Sequence, residues 1–349
     1  MCNKVQSLHL NQFTAFQDAK FEFGQGINVL IGSNSTGKTH VMKALYSALK
    51  VCEQTHRKKL DSREVIASLL SEKLSGVFKP NSVGRLVRRG RGKRNSSLTV
   101  QYANTKLNIA ITSGSKVSLT YARLPNPVPA VYLPSHEFLS MYEGFISAYT
   151  QRESSFDETY YDLAVALNAL PLRGPTQTDI KSLLLPLEKA VGKSRNVTQE
   201  NGRFYVRLPE GKLEAHLVSE GLRKLAGLLY LINNGSLTKN GILFWDEPEA
   251  NLNPKLIMIV VDVLKILAAS GVQIFIATHD FLLSQELSLL SEYKSETNVK
   301  FFSLIKGKNG IEVESAESLV DIEHDPILDE FVAHYDRESE LFRLAIAKR

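Results

Sequence analysis

Residues 32–39 read GSNSTGKT. The octet fits the pattern Gly, four residues, Gly-Lys-Ser/Thr, and its surroundings fit as well. Residues 26–32, GINVLIG, are an apolar, β-branched run that predicts a buried strand stopping at Gly32. After Lys38 the apolar residues Val41, Ala44, Leu45, Ala48, Leu49 and Cys52 recur at helical spacing. A strand, a glycine-rich turn and a helix start together make a phosphate cradle. Gly32 and Gly37 let the backbone curl so that successive N–H groups face phosphate oxygens, and the helix adds its positive end. Lys38 brings a point charge to the terminal phosphates and Thr39 offers a hydroxyl to Mg²⁺. The expected nucleotide contacts are Gly32, Asn34, Ser35, Gly37, Lys38, Thr39 and His40. A chance match in a Gly/Ser-rich loop is the alternative, and the flanks on both sides argue against it.

Two later stretches extend the site. Residues 242–254, ILFWDEPEANLNP, form an apolar strand that ends in two acids. Asp246 at the strand end suits Mg²⁺, and Glu247 suits orienting or deprotonating an attacking water. An acidic helix cap is the plainer reading of the same residues. Residues 272–280, VQIFIATHD, place His279 just past another buried strand. A neutral imidazole there could hydrogen-bond a γ-phosphate. A single His is weak evidence alone, but the order phosphate loop, acid pair, His favours the catalytic reading.

The remaining chain supplies the frame. Residues 6–10 and 20–23 read as short strands, and 85–121 alternate like an antiparallel meander broken by Asn, Gly and Ser. Residues 155–191 are helical in pattern, and Asn201-Gly202 signals a hairpin. Strands over 299–306 and 310–316 precede an amphipathic helix that starts at Pro326. The α/β pieces thus lie at the two ends of the chain. The expected organisation is one α/β domain over 1–349. Its core is 1–60 plus 218–310, with a β-rich and helical lobe inserted at 61–217 and a helical tail at 311–349.

With 43% hydrophobic and 23% charged residues, long disorder and fibrous repeats are excluded. The net charge of +5 permits nucleic-acid contact without requiring it. Six cations fall between Arg85 and Arg94, in RLVRRGRGKR, with no aromatic residue among them. The run could track phosphates or be a solvated hairpin tip, and base stacking is not indicated. Cys2 and Cys52 form no CxxC pair, so a reducing compartment is expected and no structural zinc. The start, MCNKVQSLHL, lacks an apolar signal core, and the longest apolar run, 256–261, is too short to cross a bilayer. The expectation is a cytoplasmic protein with no membrane association.

In this order, the motifs resemble ABC-type ATPases of the soluble, DNA-associated kind, the group with RecF, SMC and OLD-like proteins. They are especially similar to the compact AAA-family ATP-binding proteins of bacterial defence and restriction islands. The resemblance runs over roughly 4–48 and 218–280. It implies an ABC-ATPase-like P-loop core with an antiparallel β subdomain and an inserted helical lobe. It also implies a homodimer that sandwiches ATP and Mg²⁺. In that family a Ser and a Gly ahead of the acid pair meet the γ-phosphate held by the other protomer. Residues 218–224, VSEGLRK, stand in this place, so Ser219 and Gly221 are the implied trans contacts. Glu220 departs from the transporter signature by adding a negative charge, which Arg223 or Lys224 could offset. The same segment reads as a capped amphipathic helix with Leu222, Leu225, Leu228 and Leu229 inward. Phe13 or Phe16 could stack on adenine or sit in the core. His136 and Glu137, in LPSHEF, stand where the family senses its metal, or are ordinary loop residues. The function implied is an ATP-hydrolysing switch that controls a separate effector polypeptide, a nuclease or toxin, in anti-phage defence. The alternative is a RecF-like repair ATPase that binds DNA.

Overall fold

The computed structural model describes residues 3–347 except 91, 173–183, 185–186, 189–190, 193–195, 294–296 and 309. Its centre is a six-stranded sheet in the order β14-β13-β3-β12-β11-β7. These are β3 (Ile27–Ile31), β7 (Ala130–Leu133), β11 (Ile242–Asp246), β12 (Gln273–Thr278), β13 (Val299–Gly307) and β14 (Gly310–Ala316). All neighbours pair in parallel except β13 with β14. The three central strands β3, β12 and β11 are buried at every position, the signature of a sheet covered on both faces.

Alternation along these strands splits the core in two. Ile27, Val29, Ile31, Leu243, Trp245, Ile274 and Ile276 face one apolar cluster. It is completed by α4 (Glu158–Leu167), α5 (Glu220–Asn233), α6 (Pro254–Ala269) and α7 (Phe281–Tyr293). Leu30, Ile242, Phe244, Phe275 and Ala277 face the other, formed with α1 (Lys38–Lys58), α2 (Arg63–Phe78) and a second sheet. That sheet has five strands, β2-β1-β4-β5-β6, all antiparallel. They are β1 (Val5–Phe13), β2 (Phe16–Glu22), β4 (Asn95–Tyr102), β5 (Thr105–Thr112) and β6 (Val117–Thr120). Buried Gln273 ties the two sheets together: its amide accepts from Val5 N at 2.8 Å and donates to Val5 O at 2.8 Å.

Helix ends follow local chemistry. Asn253 accepts from Leu256 N at 3.1 Å and Pro254 opens α6, so "NLNP" is a cap. Asp280 accepts from Leu283 N at 2.7 Å, starting α7 directly after His279. The last turn of α1 carries His56, Arg57 and Lys58 against its negative end.

The inserted-lobe boundaries need correction. The meander β4–β6 hydrogen-bonds to β1, so it continues the N-terminal sheet instead of forming a separate lobe. β7 lies inside 61–217 yet pairs with β11 in the central sheet. The separate part is smaller: α3 (Phe145–Thr150), α4, and a three-stranded sheet of β8 (Val197–Glu200), β9 (Arg203–Leu208) and β10 (Gly211–Glu214). Much of the helical pattern over 155–191 lies outside the described residues. The helical tail begins at Pro326, not 311, because 310–316 pairs with β13. It is α8 (Pro326–Ala347). Among the described residues no helix is long and apolar enough to cross a membrane.

Candidate functional site

The phosphate loop leaves the end of β3 and turns sharply into α1. Gly32 and Gly37 sit at φ 145° and 93°, where a side chain is strained. Space forbids one too: a Cβ on Gly32 would stand 2.6 Å from Leu304 O, and one on Gly37 2.7 Å from the ring of Phe16. Ser35 is also left-handed, at φ 66°. Thr36 is buried and donates to Ser33 O at 2.9 Å, closing the loop on itself. Lys38 folds back over the loop, its Nζ 2.6 Å from Gly32 O and 3.1 Å from Ser33 O. Burial pushes its pKa down, against the pull of Glu247, Asp246 and Glu249. The resulting pocket, about 470 Å³, is lined by Ala15, residues 34–40 and Glu247.

Asp246, at the end of fully buried β11, meets the loop. Thr39 Oγ1 donates to Asp246 Oδ1 at 3.2 Å, and Tyr132 OH donates to Oδ2 at 3.2 Å. The carboxyl is 8% exposed, and burial pushes its pKa up to about 6, helped by the Glu247 charge. A hydroxyl and a carboxylate this close are oxygen donors of the kind Mg²⁺ takes, beside the glycine-rich loop. The residues therefore fit the metal that such nucleotide sites use.

Glu247 follows in the left-handed region, φ 47°, and its N–H donates to Ala277 O at 2.9 Å. That kink turns its side chain out of the strand line into the pocket wall. His279, leaving β12 on the adjacent strand, brings Nδ1 to 3.3 Å from Glu247 Oε1. The parallel β11–β12 register thus joins two residues that are 32 positions apart (279 − 247). His40 stands at the loop's far side with its ring against Phe78 at 5.6 Å. Burial lowers its pKa and favours the neutral ring, and its Nδ1 is buried without a partner.

Other residues separate from this cluster. Ser219 is the exposed N-cap residue of α5, but its side chain accepts nothing from the helix. The expected capped start is therefore uncapped by its hydroxyl. Gly221 is buried where a Cβ would clash with Leu252 at 2.7 Å. Neither residue lines the phosphate-loop pocket of its own chain. Leu225, Leu228 and Leu229 are fully buried and Leu222 partly so.

Three expectations change. Phe13 and Phe16 are fully buried, so neither can stack on a base. Phe16 instead braces Gly37. Arg223 does not offset Glu220; its Nε bonds Glu137 at 2.6 Å. Glu220 is engaged by Asn251 Nδ2 at 2.8 Å, and Lys224, which feels its charge, donates to Ala250 O at 2.9 Å. Glu137 also accepts from Ser140 N at 2.9 Å, so its carboxylate is taken up in tying the segment after β7 to α5.

Two members of the site were missed. Tyr132 lies in a short strand and orients Asp246. Glu249 is buried, accepts from Thr278 Oγ1 at 2.7 Å, and lies 4.0 Å from His279 Nδ1. Burial raises its pKa, and its Oε2 has no partner. The third acid in DEPEA was the available signal for Glu249.

With this geometry, residues 112–284 match a family model described as an AAA domain, putative AbiEii toxin, type IV toxin–antitoxin system. Residues 7–122 match a second model described as an AAA domain. The chain is 34% identical over 82 residues to the DNA replication and repair protein RecF of Limosilactobacillus reuteri. That match covers 24% of this chain and 21% of the relative, so it spans about a fifth of that protein's length. It is 28% identical over 119 residues to the glutamine transport ATP-binding protein GlnQ of Bacillus subtilis, covering 33% of this chain and 47% of that one. A Pyrococcus furiosus Smc head domain, solved with an extended coiled coil and the C-terminal domain of ScpA, superposes with a TM-score of 0.51. It covers 94% of this chain and 99% of that chain at 11% identity, a likeness of fold alone.

Proposed function

We propose that this chain, which matches AAA-domain models over 7–122 and 112–284, is an ABC-type ATP-hydrolysing switch that closes as a homodimer. One observation carries the reading. Lys38, Thr39 and Glu247 line one pocket, and Asp246 and His279 are joined to it through Thr39 and Glu247, although these residues follow three different strands of the sheet. The loop N–H groups and Lys38 hold the phosphates of ATP. Thr39 and Asp246 would hold Mg²⁺, which would neutralise charge on the terminal phosphates. Glu247 takes a proton from water as the water oxygen bonds to the γ-phosphorus. The bond from that phosphorus to the leaving ADP oxygen breaks, and the products are ADP and phosphate. His279 orients Glu247 and contacts the γ-phosphate.

Ser219 and Gly221 act on the ATP of the partner. Two observations support this. They lie outside their own pocket, yet Gly221 packs on the loop that follows the acid pair. ATP then favours the closed dimer because only that state adds these contacts, and hydrolysis releases them. A dimer that opens and closes in this way can control a separate effector polypeptide, a nuclease or toxin. The anti-phage setting comes from the motif resemblance to defence-island ATPases.

Ser219→Arg tests the trans contact. The bulky cation should block ATP-dependent dimerisation while ATP binding by the monomer stays within about threefold of wild type, since the change is exposed and remote from the loop. Light scattering with and without ATP, beside a nucleotide-binding titration, reads both. A variant that still dimerises with ATP removes Ser219 from the interface.

A second reading, a RecF-like ATPase on DNA, is favoured by the basic segment. Arg85, Arg88 and Arg89 line a groove of about 740 Å³ together with Lys306 and Lys308. The groove adjoins the phosphate-loop pocket through Ala15 and His40. Arg88 donates to Ala15 O and Arg94 to Gln12 at 3.4 Å, so this is an anchored surface and not a free hairpin tip. Arg91 lies outside the described residues. Duplex binding that falls steeply with salt separates this reading from the first.

A further inference from the structure

One turn into α5 the chain buries a positive charge beside its acid pair. Lys224 is 8% exposed and lines no part of the phosphate-loop pocket of its own chain. Burial pushes its pKa down, against the pull of Glu220, Glu249, Glu247 and Glu137. A buried ammonium is costly unless its protons are taken up. Here they meet backbone carbonyls: Nζ donates to Ala250 O at 2.9 Å and stands 3.4 Å from Glu247 O. Among the described residues no other group donates to Ala250 O.

The segment 247–252 needs a hold of this kind. Glu247 is left-handed at φ 47° and Asn251 at φ 63°. A left-handed Glu is disfavoured and persists only where its surroundings over-determine it. One side of the segment is fixed by β12: Glu247 N donates to Ala277 O at 2.9 Å, and Glu249 accepts from Thr278 Oγ1 at 2.7 Å. The other side is gripped by α5. Glu220 and Gly221 lie four and three residues before Lys224, so the three share a helix face. Glu220 accepts from Asn251 Nδ2 at 2.8 Å. Gly221 packs so close that a Cβ would stand 2.7 Å from Leu252 and 3.2 Å from Asn251 O. That close approach sets the long Lys224 side chain on the carbonyls of the turn.

We propose that Lys224 is a positioning residue for hydrolysis: its ammonium ties the carbonyls of Glu247 and Ala250 to α5, and so holds Glu247 in the backbone conformation that turns its carboxylate into the nucleotide pocket. The proposal rests on Glu247 being the general base. Lys224 acts through that residue and not on the nucleotide.

The test is Lys224→Met, which keeps the apolar stem and removes the ammonium. Circular dichroism and melting establish that the variant folds. If it does not, Lys224→Gln, whose side chain is one bond shorter, takes the same measurements with the same expectations. The expected result is a kcat lower by about 10²-fold, the cost of a misplaced catalytic group, with KM and ATP affinity within about threefold of wild type. The second arm is a double-mutant cycle with Glu247→Gln. There Lys224→Met should lower the residual rate by less than about threefold, because the base through which it acts is already gone. ATP should still drive the double variant into the closed dimer. A wild-type kcat in Lys224→Met, a loss confined to KM, or an undiminished further loss in the Glu247→Gln background would each overturn the proposal. So would a double variant that fails to dimerise where Glu247→Gln alone does, since Lys224 would then act at the interface. Wild-type turnover by Glu247→Gln alone is a separate failure, which removes the general base and with it the premise.

Discussion

Glu247→Gln should lower the rate of ATP hydrolysis by about 10²–10⁴-fold, the range a positioned general base contributes. ATP affinity should change by no more than a few-fold, because the substitution keeps shape and hydrogen bonding and removes only the proton acceptor. The backbone at this position is left-handed and fixed by the bond to Ala277 O, so Gln inherits the same placement. Its carboxamide can still meet His279, which lies 3.3 Å from the native carboxylate. The variant should therefore hold ATP unhydrolysed and accumulate as the closed dimer. Quenched-flow turnover together with light scattering reads both effects. Turnover at the wild-type rate would take the general-base role away from Glu247.

Asp246→Asn should remove the Mg²⁺ dependence of nucleotide affinity and, at neutral pH, raise the melting temperature of the nucleotide-free protein. The sign follows from burial. The carboxyl has a pKa of about 6 when folded, against 3.8 for the ordinary group. The folded state thus binds an extra proton between those values, and above pH 6 the buried charge opposes folding. That penalty is full at pH 7 and shrinks as pH falls through about 6. An asparagine is neutral throughout and still bonds Thr39 and Tyr132. The gain is on the order of 1–3 kcal/mol, a few degrees of melting temperature. For the wild type, the advantage that Mg²⁺ gives to ATP binding should weaken between pH 7 and 5.5. A lower melting temperature for Asp246→Asn at pH 7 would contradict this reading of the carboxyl, since it would mean that the charge supports the fold.

The central strands and the phosphate loop were legible because their constraints are local. An unbroken apolar run fixes a strand covered on both faces, and a loop that must curl needs its glycines where the chain has them. The β11–β12 pairing sets His279 beside Glu247, a contact that the order of the motifs does not specify. What escaped depends on non-local contacts. Alternation in β4–β6 marks one buried face but not the partner strand, and that partner proved to be β1. β7 has four residues, too few for a period, so Tyr132 went unassigned beside Asp246. Phe16 looked available to a base because the space left by a missing Cβ at Gly37 cannot be read from sequence. Arg223 lies one helical turn from Glu220 in sequence, and only the packing of α5 against the segment after β7 sets it on Glu137 instead.

That each ATP is completed by the other protomer is tested most directly by mixing two inactive chains, Lys38→Ala and Ser219→Arg. The first lacks a working phosphate loop but keeps its signature segment, and the second has the opposite defect. Each alone should be nearly inactive. In the mixed dimer one site combines the intact loop of the second chain with the intact segment of the first. Neither parent closes with itself, so the productive dimers are mixed, each with one of two sites working, and activity should recover to at most about half of the wild-type rate. Mixtures no more active than their components, or Ser219→Arg protein that hydrolyses ATP normally by itself, would contradict a site shared between protomers.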